Sequence, residues 1–306
     1  MCFKSHFKEL EDSSGLLNNP ESLRARMRNE GYLFFRGFLK TEPLLDLRAR
    51  ILSVLSQHGK VKIEAFTADE AFIGEPFAEV LGDYFKIYDD VQKLESLHTL
   101  KHDPLLMNLM EKVLNKPAFA HPLAIARIIC PQYMDYTTPA HQDYPNNQGS
   151  LETYAVWIPL GNCPVELGGL AVLERSHLFG ILMNESALGA GYKKVVLKAP
   201  MNELNWWTTN YKAGDALVFH SLTVHRALPN KTADRVRLSV DYRYQNLREP
   251  ITDNSLKPHF QRLSWEDIYA GWSSTRFQYY WKKFELRETA WDPTIEALRL
   301  KKVLGE

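Results

Sequence analysis

The stretch that decides the fold begins Ala140-His141-Gln142-Asp143-Tyr144-Pro145. It continues with Gly214-Asp215-Ala216-Leu217-Val218-Phe219-His220 and Val224-His225-Arg226, and ends Asp234-Arg235-Val236-Arg237-Leu238-Ser239-Val240. Short apolar runs alternate here with turn residues and with a few side chains able to do chemistry. In an extended segment residues i and i+2 face the same way, so His141 and Asp143 can reach one ion. His225, just past a turn and strand, supplies a third donor. Two histidines and one carboxylate make a facial set for non-haem iron(II), leaving positions open for a bidentate keto acid and then O2. In a chain with ten histidines a His-x-Asp pair alone is a weak signal, and the ordered series carries the reading.

Beyond the turn Leu228-Pro229-Asn230-Lys231-Thr232 the chain returns with arginines. A guanidinium fork matches a carboxylate bidentately, as a lysine does not. Strand alternation puts Arg235, Arg237 and Ser239 on one face and Val236, Leu238 and Val240 on the other. Arg237 is the reading for an anchor of a dicarboxylate co-substrate, and Arg235 competes with it; Arg243 lies further along that face. His220 competes with His225 for the metal role. His177 reads as closing a turn, and His58, His98, His102 and His121 have no carboxylate at ligand spacing.

Outward from this stretch the texture is that of short strands separated by Gly, Pro and Asn turns. Strands are expected over 124–130, 153–160, 168–173, 216–220 and 236–244, the pattern of a β-sandwich or jelly roll. Upstream, Asn19-Pro20 starts a helix that stops at Gly31, and Tyr32 to Phe38 reads as a buried strand. Thr41 caps a helix carrying Leu44, Leu47, Ile51, Leu52 and Leu55. Further helical patterns run through Val91, Leu94 and Leu97 and from Asp103-Pro104. Residues 71–76 read as a loop, over a pocket or merely connecting. The insertion from Gly180 to Lys212 carries Trp206 and Trp207, as a lid or as an aromatic patch on the strands. After Pro258 the pattern is helical, with Ser264-Trp265-Glu266-Asp267 as a capping box. Its large aromatics are expected to pack on the strands or to join copies in a homo-oligomer.

The chain is read as one domain over 1–306, with a helical N-terminal region over 1–116, a jelly-roll core at about 117–247 and a helical extension over 248–306. Apolar residues make up 45% and charged residues 24%, ordinary for a globular protein with a sizeable core. Lysine plus arginine and aspartate plus glutamate both number 37. That balance points away from nucleic acid or a charged membrane as main partner. Three cysteines, Cys2, Cys130 and Cys163, form no disulfide or Cys-metal spacing. The N-terminus lacks an apolar signal core, and no apolar run approaches the roughly 20 residues of a membrane span. A cytoplasmic setting is expected.

The residues also carry a resemblance. His141-Gln142-Asp143, Trp157-Ile158-Pro159-Leu160, Gly168-Gly169-Leu170, Ser176-His177, Gly214 to Phe219 and His225…Pro229-Asn230…Arg237, with Glu30 to Phe38 upstream, resemble the phytanoyl-CoA dioxygenase family of iron(II)- and 2-oxoglutarate-dependent oxygenases. The likeness spans about residues 22–245. It implies a mainly β double-stranded β-helix, cupin-like, with flanking N- and C-terminal helices. It implies His141, Asp143 and His225 on iron, Arg237 on the co-substrate's distal carboxylate and Trp157 lining that pocket. The sequence departs from the family's pattern twice: the turn before the arginine is one residue longer, and Ala227 stands where relatives often carry a hydroxyl.

The resemblance implies hydroxylation, since relatives that halogenate lack the carboxylate that Asp143 supplies. The expected reaction consumes O2 and 2-oxoglutarate and releases succinate and CO2, with a small metabolite or natural-product intermediate as substrate. Arg127, Gln132, Tyr144, Gln148, Trp206 and Trp207 are the candidate substrate contacts. Other readings are desaturation, epoxidation or cyclisation by the same oxidant, a metal-dependent binding protein without turnover, and a zinc hydrolase, which would need no arginine.

Overall fold

The computed structural model describes residues 7–62, 72, 74–79 and 81–297. Cys2, with the rest of the first six residues, and Ala71 and Ile73 of the loop 71–76 lie outside them. The first helix, α1 (Pro20–Glu30), starts as its sequence implies. Asn19 Oδ1 accepts from Ser22 N at 3.1 Å, satisfying one of the helix's orphan donors. It stops where Gly31 takes φ +79°. In α2 (Thr41–Gln57) the five leucine and isoleucine positions are buried; Thr41 is the first helical residue rather than the cap, which is Lys40. The third pattern is broken. α3 (Tyr84–Gln92) ends before Leu94, whose extended backbone precedes a short helix, Glu95–Thr99. α4 (Pro104–Leu114) is capped by Asp103, which accepts from Leu105 N at 2.8 Å.

The strands of the two main sheets are β1 (Phe7–Glu9), β2 (Tyr32–Phe35), β3 (Ala118–Ala120), β4 (Ile125–Ile129), β5 (Tyr154–Pro159), β6 (Leu170–Leu173), β7 (Trp206–Thr208), β8 (Ala216–His220), β9 (His225–Ala227) and β10 (Arg237–Asn246). The larger sheet runs β2-β8-β5-β10, with β3 and β4 both on the far edge of β10; the smaller runs β1-β7-β6-β9. Alternation divides the larger sheet's side chains. Leu33, Phe35, Val156, Ile158, Val218, Leu238, Val240, Tyr242 and Tyr244 pack with the helices in one apolar cluster. Tyr32, Phe34, Ala155, Trp157, Leu217 and Phe219 face the other way and meet Leu170 and Val172 of the smaller sheet. The result is a double-stranded β-helix whose outer large face is covered by helices.

Several of the C-terminal aromatics pack on the strands. The Ser264–Asp267 capping box forms and opens the helix Trp265–Tyr269. Ile268, Tyr269 and Trp281 pack on Phe119 and Ile251, and Tyr280 Oη donates to Ala120 O at 2.6 Å. Packing on the strands thus accounts for these rings, while Phe284 stays exposed. Among the described residues no helix is long and apolar enough to cross a membrane.

Three histidines lie beneath this cluster, His98 and His121 buried and His102 largely so. His98 faces Gln92 O at 2.8 Å, His121 faces Gln245 Oε1 at 2.8 Å, and His102 stacks on Phe277 with ring centroids 4.2 Å apart. Burial holds each ring's pKa down to about 3, against an ordinary 6.5. Below about pH 6.5 the unfolded chain therefore binds protons that the folded chain refuses, so stability falls as pH falls through that window. The thermal midpoint of metal-free protein should drop between pH 7.5 and pH 5. A midpoint that stays constant would mean that these rings are not held neutral.

Candidate metal centre

The two histidines are joined through their backbones. His141 N donates to His225 O and His225 N to His141 O, both at 3.0 Å, an antiparallel bridge that sets the rings 4.1 Å apart between centroids. Each Nδ1 faces a main-chain carbonyl: Pro139 O at 2.8 Å from His141 and Thr223 O at 2.9 Å from His225. A carbonyl only accepts, so Nδ1 carries the proton and each Nε2 keeps its lone pair. Both Nε2 atoms lie 3.7 Å from Asp143 Oδ1.

Asp143 arrives by a different route from the strand alternation expected of it. Its backbone is helical (φ −74°, ψ −34°) and heads the short helix Tyr144–Asn147, while its N donates to Ser221 O at 3.0 Å. A turn, rather than a pleat, brings it beside His141. Among the described residues, His141, Asp143 and His225 are the one trio of His, Cys, Asp or Glu that can converge on an ion, with donor atoms within 4.8 Å of one another.

The electrostatics suit a divalent cation. Burial, then the neighbouring His225, pushes His141 down to about 3, and burial likewise lowers His225. Burial alone would raise Asp143, but the Arg243 guanidinium and the two imidazoles outweigh it and hold the carboxyl well below the usual range. Two neutral imidazoles and an ionised carboxylate are thus ready as ligands without losing further protons. This donor set fits iron(II) of the facial-triad kind.

The histidines line a cavity together with Arg127, Thr138, Trp157, Leu170, Ala227, Arg237, Asp241 and Arg243. Arg237 is 2% exposed. Its Nε donates to Gly168 O at 3.0 Å and its Nη1 to Ser239 Oγ at 2.6 Å. These bonds fix the guanidinium plane 6.0 Å from the Trp157 ring centroid. Arg235, its competitor, does not line the cavity. The strand begins only at Arg237, so the alternation does not extend back to Arg235, whose charge lies by Arg48 and Cys163. Asn230 makes the longer turn rigid: its Nδ2 donates to Arg235 O at 2.7 Å, and its Oδ1 accepts from Thr232 Oγ1 at 2.6 Å.

Of the candidate substrate contacts, only Arg127 reaches the cavity. Its Nε donates to Asp241 Oδ2 at 3.1 Å and its Nη1 to Glu79 Oε2 at 3.2 Å. Glu79 is held in turn by Gly191 N at 3.1 Å and, at its carbonyl, by Tyr192 Oη at 2.8 Å. Two segments therefore meet over Arg127. The other candidates are placed elsewhere. Exposed Gln132 donates to Lys231 O and Thr232 O at 2.8 and 3.0 Å, bracing the turn. Gln148 exchanges hydrogen bonds with the backbone of Asp292, at 2.9 and 2.7 Å, so it clamps the C-terminal segment. Tyr144 is half-buried on that same side, near Asp292. Trp206 lies on the outer face of the smaller sheet with Leu173 and Val224, and Trp207, half-buried, packs by Tyr32 against the cluster between the sheets. His220 is away from the trio, 3.6 Å from Glu152 and edge-to-face with Tyr154.

Sequence reasoning passed over Thr138, Glu79 and Asp241, and named Arg243 only as a further residue on the anchor's face. A signal for the last two was present in β10. Its residues Arg237, Ser239, Asp241, Arg243 and Gln245 alternate with Leu238, Val240, Tyr242 and Tyr244, and both sets are buried. A strand with one buried polar face is costly unless that face has partners or a ligand.

Residues 27–238 match the phytanoyl-CoA dioxygenase (PhyH) family. The chain is 27% identical over 262 residues to 1-deoxypentalenic acid 11-beta-hydroxylase of Streptomyces exfoliatus, covering 81% of this chain and 88% of that protein. It is also 27% identical to the enzyme of that name from Streptomyces arenae, over 82% and 90% of the two chains. The fold is similar to that of the non-heme alpha ketoglutarate dependent carbocyclase SnoK, with TM-score 0.53, 20% identity and coverage of 81% and 92%. It is likewise similar to the epimerase SnoN solved with Fe3+ and alpha ketoglutarate, with TM-score 0.53, 20% identity and coverage of 76% and 86%.

Gly168 links the turn to the anchor. It adopts φ +89°, and a Cβ there would come within 2.5 Å of Leu228 O. Gly168→Ala should therefore lower stability by about 1–3 kcal/mol, read from the urea midpoint. A midpoint equal to that of the unaltered protein would show that this turn relaxes freely.

Proposed function

The chain belongs to the phytanoyl-CoA dioxygenase family, and from that premise we propose that His141, Asp143 and His225 hold its iron(II) and that Arg237 anchors 2-oxoglutarate. It is an iron(II)- and 2-oxoglutarate-dependent dioxygenase. The reaction proposed is hydroxylation of an unactivated C–H bond in a small natural-product intermediate. The observation that carries the assignment is the convergence of both Nε2 atoms on Asp143 Oδ1 in the cavity that Arg237 also lines. The relatives named as hydroxylases support the reaction type.

When bound, iron supplies O2 activation coupled to oxidative decarboxylation of 2-oxoglutarate, so that substrate, O2 and co-substrate give alcohol, succinate and CO2. The protein's role is position, charge and exclusion of water. The carbonyls of Pro139 and Thr223 hold both imidazoles in the tautomer that leaves Nε2 free. Gly168 O and Ser239 Oγ orient Arg237 so that its remaining donors face the cavity, and the Trp157 ring walls the anchor. The buried charges around the site are balanced: Arg127, Arg237 and Arg243 are matched by Glu79, Asp241 and Asp143. A dication and a dicarboxylate add equal and opposite charge, so loading leaves the balance intact. The contact of Glu79 with Arg127 and Gly191 closes one side against solvent.

Anaerobic addition of iron(II) and then 2-oxoglutarate should give a visible charge-transfer band. His141→Ala, Asp143→Ala and His225→Ala should each lose iron binding and turnover, whereas His220→Ala keeps both. Arg237→Ala should keep iron and bind 2-oxoglutarate roughly 10- to 100-fold more weakly, the effect of losing charge-assisted hydrogen bonds of about 1.5–3 kcal/mol. No band in iron-loaded protein would sink the co-substrate assignment and bring forward a hydrolase or a binding protein.

A further inference from the structure

The two oxygens of Asp143 are treated differently. Oδ1 lies 3.7 Å from both imidazole Nε2 atoms. Oδ2 accepts from Arg243 Nη2 at 2.9 Å, and both side chains are 5% exposed. This is a charge-assisted bond away from water, the strong kind. Arg243 is poorly served in return. Its Nε and Nη1 are buried without a hydrogen-bond partner. The other carboxylate on that strand face, Asp241, is committed to Arg127 at 3.1 Å. A buried cation with two orphan donors is not what stability alone favours, and such groups call for a reason.

We propose that Arg243 is a positioning residue that reserves Asp143 Oδ2, so that the carboxylate gives the metal one oxygen only. The inference rests on the metal assignment above. A carboxylate near a divalent cation can bind through one oxygen or two. In a three-ligand site the second oxygen would take a place that the co-substrate or O2 needs. By holding Oδ2 from the far side, Arg243 keeps the site open. Asp143 heads a short helix and lies outside the strands, so its own backbone leaves the carboxylate free to turn.

The test uses the whole protein under anaerobic conditions, with cobalt(II) as spectroscopic probe and 2-oxoglutarate as added ligand. Arg243→Met is expected to bind cobalt as tightly as the unaltered protein, or more tightly, and 2-oxoglutarate at least about tenfold more weakly, the scale of losing an outer partner of a ligand. Arg243→Lys, which keeps a charge and a donor, should recover most of that loss. In isotope-edited infrared spectra with labelled aspartate, the metal-induced carboxylate splitting should be wide in the unaltered protein and narrow in Arg243→Met. Equal 2-oxoglutarate affinity in the two proteins overturns the proposal. So does loss of cobalt with unchanged 2-oxoglutarate binding in the fraction still loaded, the pattern of a merely structural residue. Should Arg243→Met not fold, a narrow splitting in the unaltered protein overturns the proposal, and a wide one supports it. Failure of the unaltered, cobalt-loaded protein to bind 2-oxoglutarate would instead refute the metal and co-substrate assignment.

Discussion

Two backbone hydrogen bonds between His141 and His225 set the geometry on which the site depends. They join a loop after β4 to the edge of the smaller sheet and bring together rings from distant regions of the chain. Because the bonds are made by the main chain, ring spacing follows from strand pairing rather than from side-chain rotamers alone. The carbonyls of Pro139 and Thr223 then settle which nitrogen is available. Every later feature, including the approach of Asp143, is built on that fixed pair.

β10 is the second organising element. Its outer face contributes Leu238, Val240, Tyr242 and Tyr244 to the core beneath the helices. Its inner face presents Arg237, Asp241 and Arg243 to the cavity. Burial of the outer face pins the register, since a slip by one residue would exchange the two sets. The same apolar packing that stabilises the sheet thereby aims the charged groups. Charges so placed are tolerable because each meets an opposite charge or a hydrogen-bonding acceptor: Arg127 meets Asp241 and Glu79, Arg243 meets Asp143, and Arg237 meets Gly168 O and Ser239.

Where sequence reasoning went astray, local pattern was overruled by tertiary contacts. Trp206 and Trp207 are large, and the insertion that holds them resembles a lid, yet β-pairing with β6 turns Trp206 to the outside of the smaller sheet and Trp207 towards Tyr32 and the cluster between the sheets. Gln132 and Gln148 are polar and near the metal stretch in sequence, but their amides are used to satisfy backbone groups of a turn and of the C-terminal segment. Arg235 shares the parity of Arg237, but parity means nothing before the strand begins.

The sequence by itself determined most of the strand and helix pattern, the helix starts at Asn19, Asp103 and Ser264, and the candidate trio His141, Asp143 and His225, because those depend on periodicity, turn chemistry and residue type. Arg237 was legible as a candidate for the same reason. Only the tertiary structure put Arg237 and not Arg235 on the cavity lining, replaced a pleat by a turn as the way Asp143 reaches its partners, and brought Glu79 to Arg127 and Arg243 to Asp143. Those outcomes rest on contacts between residues far apart in the chain. Asp143 and Arg243 are 100 residues apart, and no local rule of spacing can relate groups whose meeting is fixed by the pairing of strands.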